Sequence, residues 1–511
     1  VAIPGAGYLA AMPRAIRRLK RDLAETGPIR SGRLAGLTLG AAIWTLAWPI
    51  LAESALNTLI GLVDTWLAAH ASRTAIDAVG GAAYLVWFVG LITMAISVGA
   101  TALIARSIGA GRAAIARAAL GQAILLAVIG GVLTALLLAS VARPLAVAMS
   151  LSGDAAAEFV GYLRAFCVGI PFSTILFVGN ACCRGAGDAR RPLMVMVAVN
   201  VVNLVASWGL AYGAGMGVVG IGLGTALAHL AGAIAILGFL LQGTGGLQLR
   251  RHWLRLHRVT TYRLLRLGFP NFLETFGMWF ANLLIALMVG LLSADAARKA
   301  AAATGLAIEG AGGMLGSHLI AIRLEAFSFL CGFAMGTAAG ALCGQFLGAG
   351  SVSMARKAVL VCAGIGALIM GLMGLVYIFG GTALTAMLTG DPRLLDMAPR
   401  LLFITGLVQV PFAIAIVFRS ALHGAGDVRA VMWMTWISQW GLRLPLAYAL
   451  SGVNVPVPAW LSGREGVVIE NPFPFDWGLP GLWIGLSLEI CIRCAIYTGR
   501  LAGGRWARAR V

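Results

Sequence analysis

Charge is scarce in this chain, and lysine is almost missing from it. Of its 511 residues 11% are Asp, Glu, Lys or Arg against 60% hydrophobic, and the lysines are Lys20, Lys299 and Lys357. So apolar a composition excludes a soluble globular protein of this length. None of the three lysines follows a glycine in a Walker A pattern, which argues against ATP-driven work by this chain alone. The six histidines show no H-E-x-x-H spacing, and no G-x-S-x-G elbow occurs. With no such cluster the reading is not an enzyme, and no cofactor is expected beyond a coupling ion. A polytopic enzyme acting on lipids would need acids or histidines gathered on one membrane face, and none are.

Cysteine excludes little except a disulfide framework. The eight, at 167, 182, 183, 331, 343, 362, 491 and 494, lie in or at the ends of apolar segments. Cys491-x-x-Cys494 sits inside one such segment with no second pair, so small residues one helical turn apart explain it better than zinc. Gly215-x-Gly217-x-x-Gly220 has no strand before it and reads as a turn, not a dinucleotide loop. The first 33 residues are basic and lack a short apolar core with a cleavage site, so no signal peptide is expected. The chain begins with Val, and a start at Met12 is an alternative.

What is present is apolar sequence in long runs. Residues 193 to 249 and 358 to 390 contain no Asp, Glu, Lys or Arg. Twelve runs are each long enough to span a bilayer as a helix: roughly 36–69, 78–105, 118–142, 158–182, 192–212, 218–241, 264–292, 315–346, 357–381, 395–421, 430–451 and 478–502. The fold class is an all-α polytopic membrane protein with twelve transmembrane helices.

The chain is also a duplication. Gly185-Ala-Gly-Asp188 returns as Gly424-Ala-Gly-Asp427, 239 residues on, and Gly109-Ala-Gly111 returns as Gly348-Ala-Gly350 at the same offset. Two motifs in one register predict two parallel six-helix lobes. The divisions are a basic tail (1–33), an N-terminal lobe (34–241), a basic linker (242–263), a C-terminal lobe (264–502) and a tail (503–511). Insertions at about 293–314 and 452–477 distinguish the second half and receive no functional reading.

The formal charge of +19 would suggest nucleic acid in a soluble chain, but here the arginines fall in alternate loops. Arg106, Arg112, Arg117, Arg184, Arg190, Arg191, the stretch from Arg250 to Arg266, Arg356, Arg429 and both tails share one side. That asymmetry is the positive-inside pattern and predicts cytoplasmic termini. The partners it implies are membrane lipid and no nucleic acid.

The informative residues are the acids inside spans, since a carboxylate at bilayer depth costs at least ~2.5–3.5 kcal/mol without a partner or a use. Asp64 and Glu274 are the two candidates. Glu325 beside Arg323, and Glu489 near Arg493, read as structural ion pairs. Asn180, Asn203, Ser207 and Thr225 read equally as interhelical glue.

Over roughly residues 34 to 502 the chain resembles the multidrug and toxic compound extrusion (MATE) family. The resemblance rests on Arg184-Gly-x-Gly-Asp188-x-Arg190-x-Pro192 followed by Asn203, on Leu62-Val-Asp64-Thr65, and on Ile108-Gly-Ala-Gly111 with its counterpart Gly344-Gln345-Phe-Leu-Gly-Ala-Gly350. It implies a V-shaped central cavity and export of organic compounds, cationic and amphipathic, by antiport with H⁺ or Na⁺ from the bacterial inner membrane, as a monomer. It implies a coupling site at Asp64, Asn180, Asn203 and Thr225, to which Ser207 adds a neutral oxygen; Glu274 and Gln345 are read beside it as a substrate or second-lobe polar site. Many relatives carry a second acid where this chain has Ser207. Asp64 therefore serves either as a proton acceptor, favoured when closure desolvates it, or as the single charge for a Na⁺ among neutral oxygens. A flippase for a lipid-linked precursor is the alternative, with Arg323, Arg443 and Arg493 as its cationic groups.

Overall fold

Each apolar run becomes a helix, and nearly every helix runs past the run that predicts it. The computed structural model describes residues 20–29, 32–71, 73–149, 151–304, 313–456 and 468–509. Of the expected basic tail at 1–33, residues 1–19, 30 and 31 lie outside the described residues. In the first half the spans are α1 (Leu39–Ala71), α2 (Arg73–Gly109), α3 (Ala113–Ala148), α4 (Gly153–Gly185), α5 (Arg190–Trp208, continued by a π-helical turn Gly209–Gly213) and α6 (Gly217–Gln242). The second half has α7 (Arg258–Thr304), α8 (Met314–Gly348) and α9 (Val352–Ala386). It continues with α10 (Pro392–Leu407), α11 (Gln409–Gly424), α12 (Val428–Ser438), α13 (Leu444–Ser451) and α14 (Gly478–Ala502).

Ten of these helices are individually long and apolar enough to cross a membrane, and α10 with α11 forms an eleventh span bent by 58°. The twelfth is contiguous from Val428 to Ser451 but divided into pieces of 11, 5 and 8 residues by a π-helical turn at Gln439–Arg443. At ~1.5 Å per residue it still reaches roughly 36 Å. Residues 293–304 of the first insertion continue α7, which extends to Thr304, and 305–312 lie outside the described residues. The second carries a short antiparallel pairing of Val455–Pro456 with Val468–Ile469.

The duplication is visible in the backbone. Gly187 and Gly426 have φ of +86° and +85°, the left-handed geometry that lets each motif reverse the chain between two spans. The aspartate that follows takes an arginine in both copies. Asp188 meets Arg33 at 2.5 Å and accepts a hydrogen bond from Thr244 at 2.6 Å, while Asp427 holds Arg500 through two contacts at 2.8 and 3.0 Å.

The lobes touch through α2 against α7 and α8, and through α1 against α8. At the basic end the approach is backbone to backbone. A Cβ on Gly109 would lie 1.9 Å from the Gln345 carbonyl oxygen, and one on Gly348 would lie 2.2 Å from that of Arg106. Both tails reinforce this seal. Lys357 pairs with Glu25, and Arg106 donates to the carbonyls of Ala507 and Ala509 beside the buried Trp506.

The linker between lobes is docked rather than free. The Gln122 amide nitrogen donates to the carbonyls of Trp253 and Arg255, both at 2.8 Å, and its oxygen accepts from the His257 amide and the Thr261 hydroxyl at 3.1 and 2.9 Å. Gln122→Ala removes all four bonds, at roughly 0.5–1.5 kcal/mol net each. Trypsin should then cut between Arg250 and Arg258 several-fold faster than in the wild type; an unchanged rate would show that other contacts hold the linker.

Candidate functional site

Asp64 sits on α1 seven residues before its end at Ala71, and Thr225 on α6 eight residues after its start at Gly217. Both are therefore ~10–12 Å in from the end of the bundle opposite the basic turns. The Thr225 hydroxyl donates to Asp64 Oδ2 at 2.8 Å, and the Asn203 amide donates to Oδ1 at 3.3 Å. The same amide nitrogen lies 3.0 Å from Thr225 Oγ1 and 3.3 Å from Ser207 Oγ. All four side chains are buried.

Local sequence sets this geometry. Asn203 and Ser207 are one helical turn apart on α5 and so share a face. Gly224 allows α6 to close on α5, since a Cβ there would fall 2.4 Å from the Ser207 Cα. Tyr212, in the π-helical turn, donates to the Leu67 carbonyl at 2.6 Å and fixes the end of α1. Among the described residues no Lys, Arg or His nitrogen lies within salt-bridge distance of Asp64. Its carboxylate has donors but no counter-charge, so it can hold a proton or a small cation.

Asn180 is not part of this group. It lies near the end of α4 at Gly185, whereas Asp64 is near the opposite end of α1, so the two are separated by most of the span. The Asn180 amide instead donates to Glu53 Oε1 at 3.1 Å, and Arg184 contacts the same oxygen at 2.5 Å. Arg184, read from sequence as a loop charge, thus turns back into the lobe.

Glu53 is the residue that sequence reasoning missed, and a signal for it existed. Pro49-x-x-x-Glu53 recurs as Pro270-x-x-x-Glu274, 221 residues later. Glu274 takes Arg419 at 2.5 Å, His423 Nε2 at 2.9 Å and the Thr435 hydroxyl at 3.1 Å. Arg419 and His423 stand 239 residues after Asn180 and Arg184, so the two clusters are related by the repeat. Gln345 is far from this arrangement in function: it donates to the Gly185 carbonyl at 2.9 Å across the seam between lobes.

Two expected pairs come out differently. Glu489 does meet Arg493, at 3.2 Å, and also Arg443 at 3.4 Å. Glu325 does not pair with Arg323, which is exposed two residues away on the same helix and so points in another direction. It accepts instead from the Thr405 hydroxyl at 2.5 Å.

Twelve spans in two repeated lobes, with an uncompensated carboxylate buried in one of them, define a polytopic membrane protein of secondary-transporter architecture. The chain belongs to the MatE family, whose model matches residues 49–208 and 312–449. It is similar to "Probable multidrug resistance protein NorM" of Thermotoga maritima, at 27% identity over 91% of this chain and 93% of that one. It is also similar to "Multidrug resistance protein PmpM" of Pseudomonas aeruginosa, at 25% identity over 88% and 90%. Among solved structures, the MATE transporter VcmN of Vibrio cholerae in its bent form superposes with a TM-score of 0.76 at 18% identity, covering 92% and 97% of the two chains. A MOP superfamily transporter from Pyrococcus furiosus gives 0.77 at 20% identity, covering 93% and 97%.

Proposed function

We propose that this protein is a secondary active transporter that exports drug-like organic compounds, cationic and amphipathic, in exchange for H⁺ or Na⁺. The observation that carries the reading is Asp64, a buried carboxylate with hydroxyl and amide donors and no counter-charge. An ion or proton that binds there stabilises the lobe arrangement around it, and substrate stabilises another; that difference in affinity is all that coupling requires. The multidrug names of the relatives agree with this substrate class.

The positive-inside pattern supports a cytoplasmic basic end with both termini on that side, and the bacterial relatives support an inner-membrane location. The seal at Gly109 and Gly348 then closes the cytoplasmic side, and alternating access requires it to part. The protein works as a monomer, contacting lipid and no nucleic acid. The flippase alternative loses support from its arginines, because Arg443 and Arg493 both lie on Glu489.

Purified protein in proteoliposomes, with ethidium as the probe, tests the reading. Ethidium should move against its own gradient under an imposed pH or Na⁺ gradient and stop when that gradient is collapsed. Movement that only follows the ethidium gradient would overturn it.

A further inference from the structure

The external insertion between α13 and α14 has no part in the transport reading, yet it carries an apolar surface of its own. In the N-terminal lobe three residues, Ala214 to Met216, lead from the π-helical turn after α5 into α6; in the C-terminal lobe the same connection runs from Gly452 to Trp477. Its returning arm reads Val468-Ile-Glu-Asn471-Pro-Phe-Pro-Phe475-Asp-Trp477. Val468, Ile469, Phe473, Phe475 and Trp477 are all exposed, Trp477 by 50% and Phe473 by 48%. Prolines at 472 and 474 fix their own φ and favour extended backbone in the residues before them, so the aromatic side chains cannot withdraw into a helix. A contiguous exposed ridge of this kind marks an interaction surface.

The arm is held by its polar groups, which leaves the rings outside. The Asn471 side-chain amide donates to the Tyr448 carbonyl at 2.7 Å, and its backbone N–H donates to Asn454 Oδ1 at 2.8 Å. The Trp477 N–H donates to the Leu450 carbonyl at 3.3 Å. Between them the chain lies against Gly452, where a Cβ would fall 2.9 Å from the Asp476 Cα and 3.0 Å from the Phe475 carbonyl oxygen. Phe473 meets Tyr448 edge-on at 6.5 Å between ring centroids, and Phe475 and Trp477 lean on each other at 5.1 Å. The arm therefore folds back along the last turn of α13 rather than rising away from it.

That level can be counted from the basic end. Val428 starts the span beside the Asp427 turn, and Ser451 ends it 23 residues later, roughly 35 Å along the helix. A bilayer with its headgroups is about 40–45 Å thick and its hydrocarbon core about 30 Å. Tyr448 to Val453, and the arm fastened to them, thus lie at the outer headgroup level. The neighbouring α7 does leave the membrane. Leu267 shares a small buried cluster with Val428, and Arg298 stands 31 residues beyond it, roughly 46 Å along the helix.

We propose that the arm from Val468 to Trp477 is a membrane anchor, whose ridge of Ile469, Phe473, Phe475 and Trp477 sits in the headgroup-to-acyl boundary of the outer leaflet. Aromatic side chains suit that boundary because an apolar ring and a polar neighbour are both accommodated there. Asp476, close enough to Lys299 of α7 for their charges to interact, joins the anchor to the helix that projects past it. The C-terminal lobe gains a hold on the lipid that the short turn of the N-terminal lobe does not provide.

The full-length chain, in vesicles of phosphatidylethanolamine and phosphatidylglycerol, tests this with nitroxide labels on single cysteines. Cys331, Cys491 and Cys494 are first replaced by alanine, since the other native thiols are buried. Labels are placed by Phe473→Cys, Phe475→Cys and Ile469→Cys, with Arg298→Cys as the reference in water. Ile469 is held by backbone pairing with Val455, so its variant carries the test if Phe473→Cys folds poorly.

Collisions with oxygen, relative to those with a water-soluble nickel chelate, should be several-fold more frequent at 469, 473 and 475 than at 298. Ratios equal to that at 298 would put the arm in water and overturn the proposal. Few collisions with either probe would show the ridge covered by protein, a second copy of this chain in the purified sample, and would overturn it equally.

Discussion

Asp64→Asn should insert, fold and bind ethidium, yet fail to move it uphill. The substitution keeps the size of the side chain and one acceptor for the Thr225 hydroxyl. It removes the only charge in a site whose other members, Asn203, Ser207 and Thr225, are neutral. A buried charge without a partner is costly, so the variant should melt at the wild-type temperature or above it. Gradient-driven accumulation should fall to the level of protein-free vesicles, while downhill movement persists. Asp64→Glu restores a carboxylate at shifted position and should recover part of the coupling. Uphill transport by Asp64→Asn at the wild-type rate would remove this residue from the coupling role.

Glu274→Ala should act on stability first. Its carboxylate is fully buried and receives Arg419 and His423 from α11 and Thr435 from α12. It is therefore the point at which α7 is tied to two other helices of its lobe. Removing it strands the Arg419 guanidinium, for which a loss of roughly 3–5 kcal/mol is expected. The melting point can be followed by labelling of buried thiols such as Cys343 and Cys362, which become reactive only on unfolding. Replacing Glu274 and Arg419 together with methionine should recover most of the loss, because neither charge is then left alone. Glu274→Gln, milder, should alter substrate range more than coupling. If Glu274→Ala melts like wild type, the cluster bears no structural load.

The twelve spans were legible because apolar runs bounded by charge need no knowledge of tertiary contacts. Their ends were less so. Helices such as α3 run from Ala113 to Ala148, past Arg117 and Arg143 at which the apolar run was cut, since a single arginine does not end a helix. The break after Leu407 and the π-helical turn at Gln439–Arg443 were harder to see: Gly406 and Gly441 stand at them, but glycine is so common in these spans that one more does not mark an irregular point. Within the site, Asp64, Asn203, Ser207 and Thr225 do converge, and the family pattern pointed to all four. Asn180 illustrates a depth error: position along α4 places it beside the basic end, with Glu53, and counting residues from Gly185 would have separated it from Asp64. Glu325 was tied to Arg323 by nearness in sequence, but residues two apart on a helix face different ways.

The seam at the basic end also bears on descent. Arg106 and Gln345 are 239 residues apart, as are Gly109 and Gly348, so the approach of Gly109 to Gln345 and that of Gly348 to Arg106 are the same contact made twice. That is the form of an isologous interface, in which a surface is complementary to its own copy. A half-length chain folding as one lobe would present this patch ready to pair with an identical neighbour in parallel. The present side chains have since diverged: Gln345 reaches across to Gly185, whereas Arg106 has turned to the C-terminal tail. Fusion into one chain freed the two copies to specialise while the glycine contact kept its two-fold form.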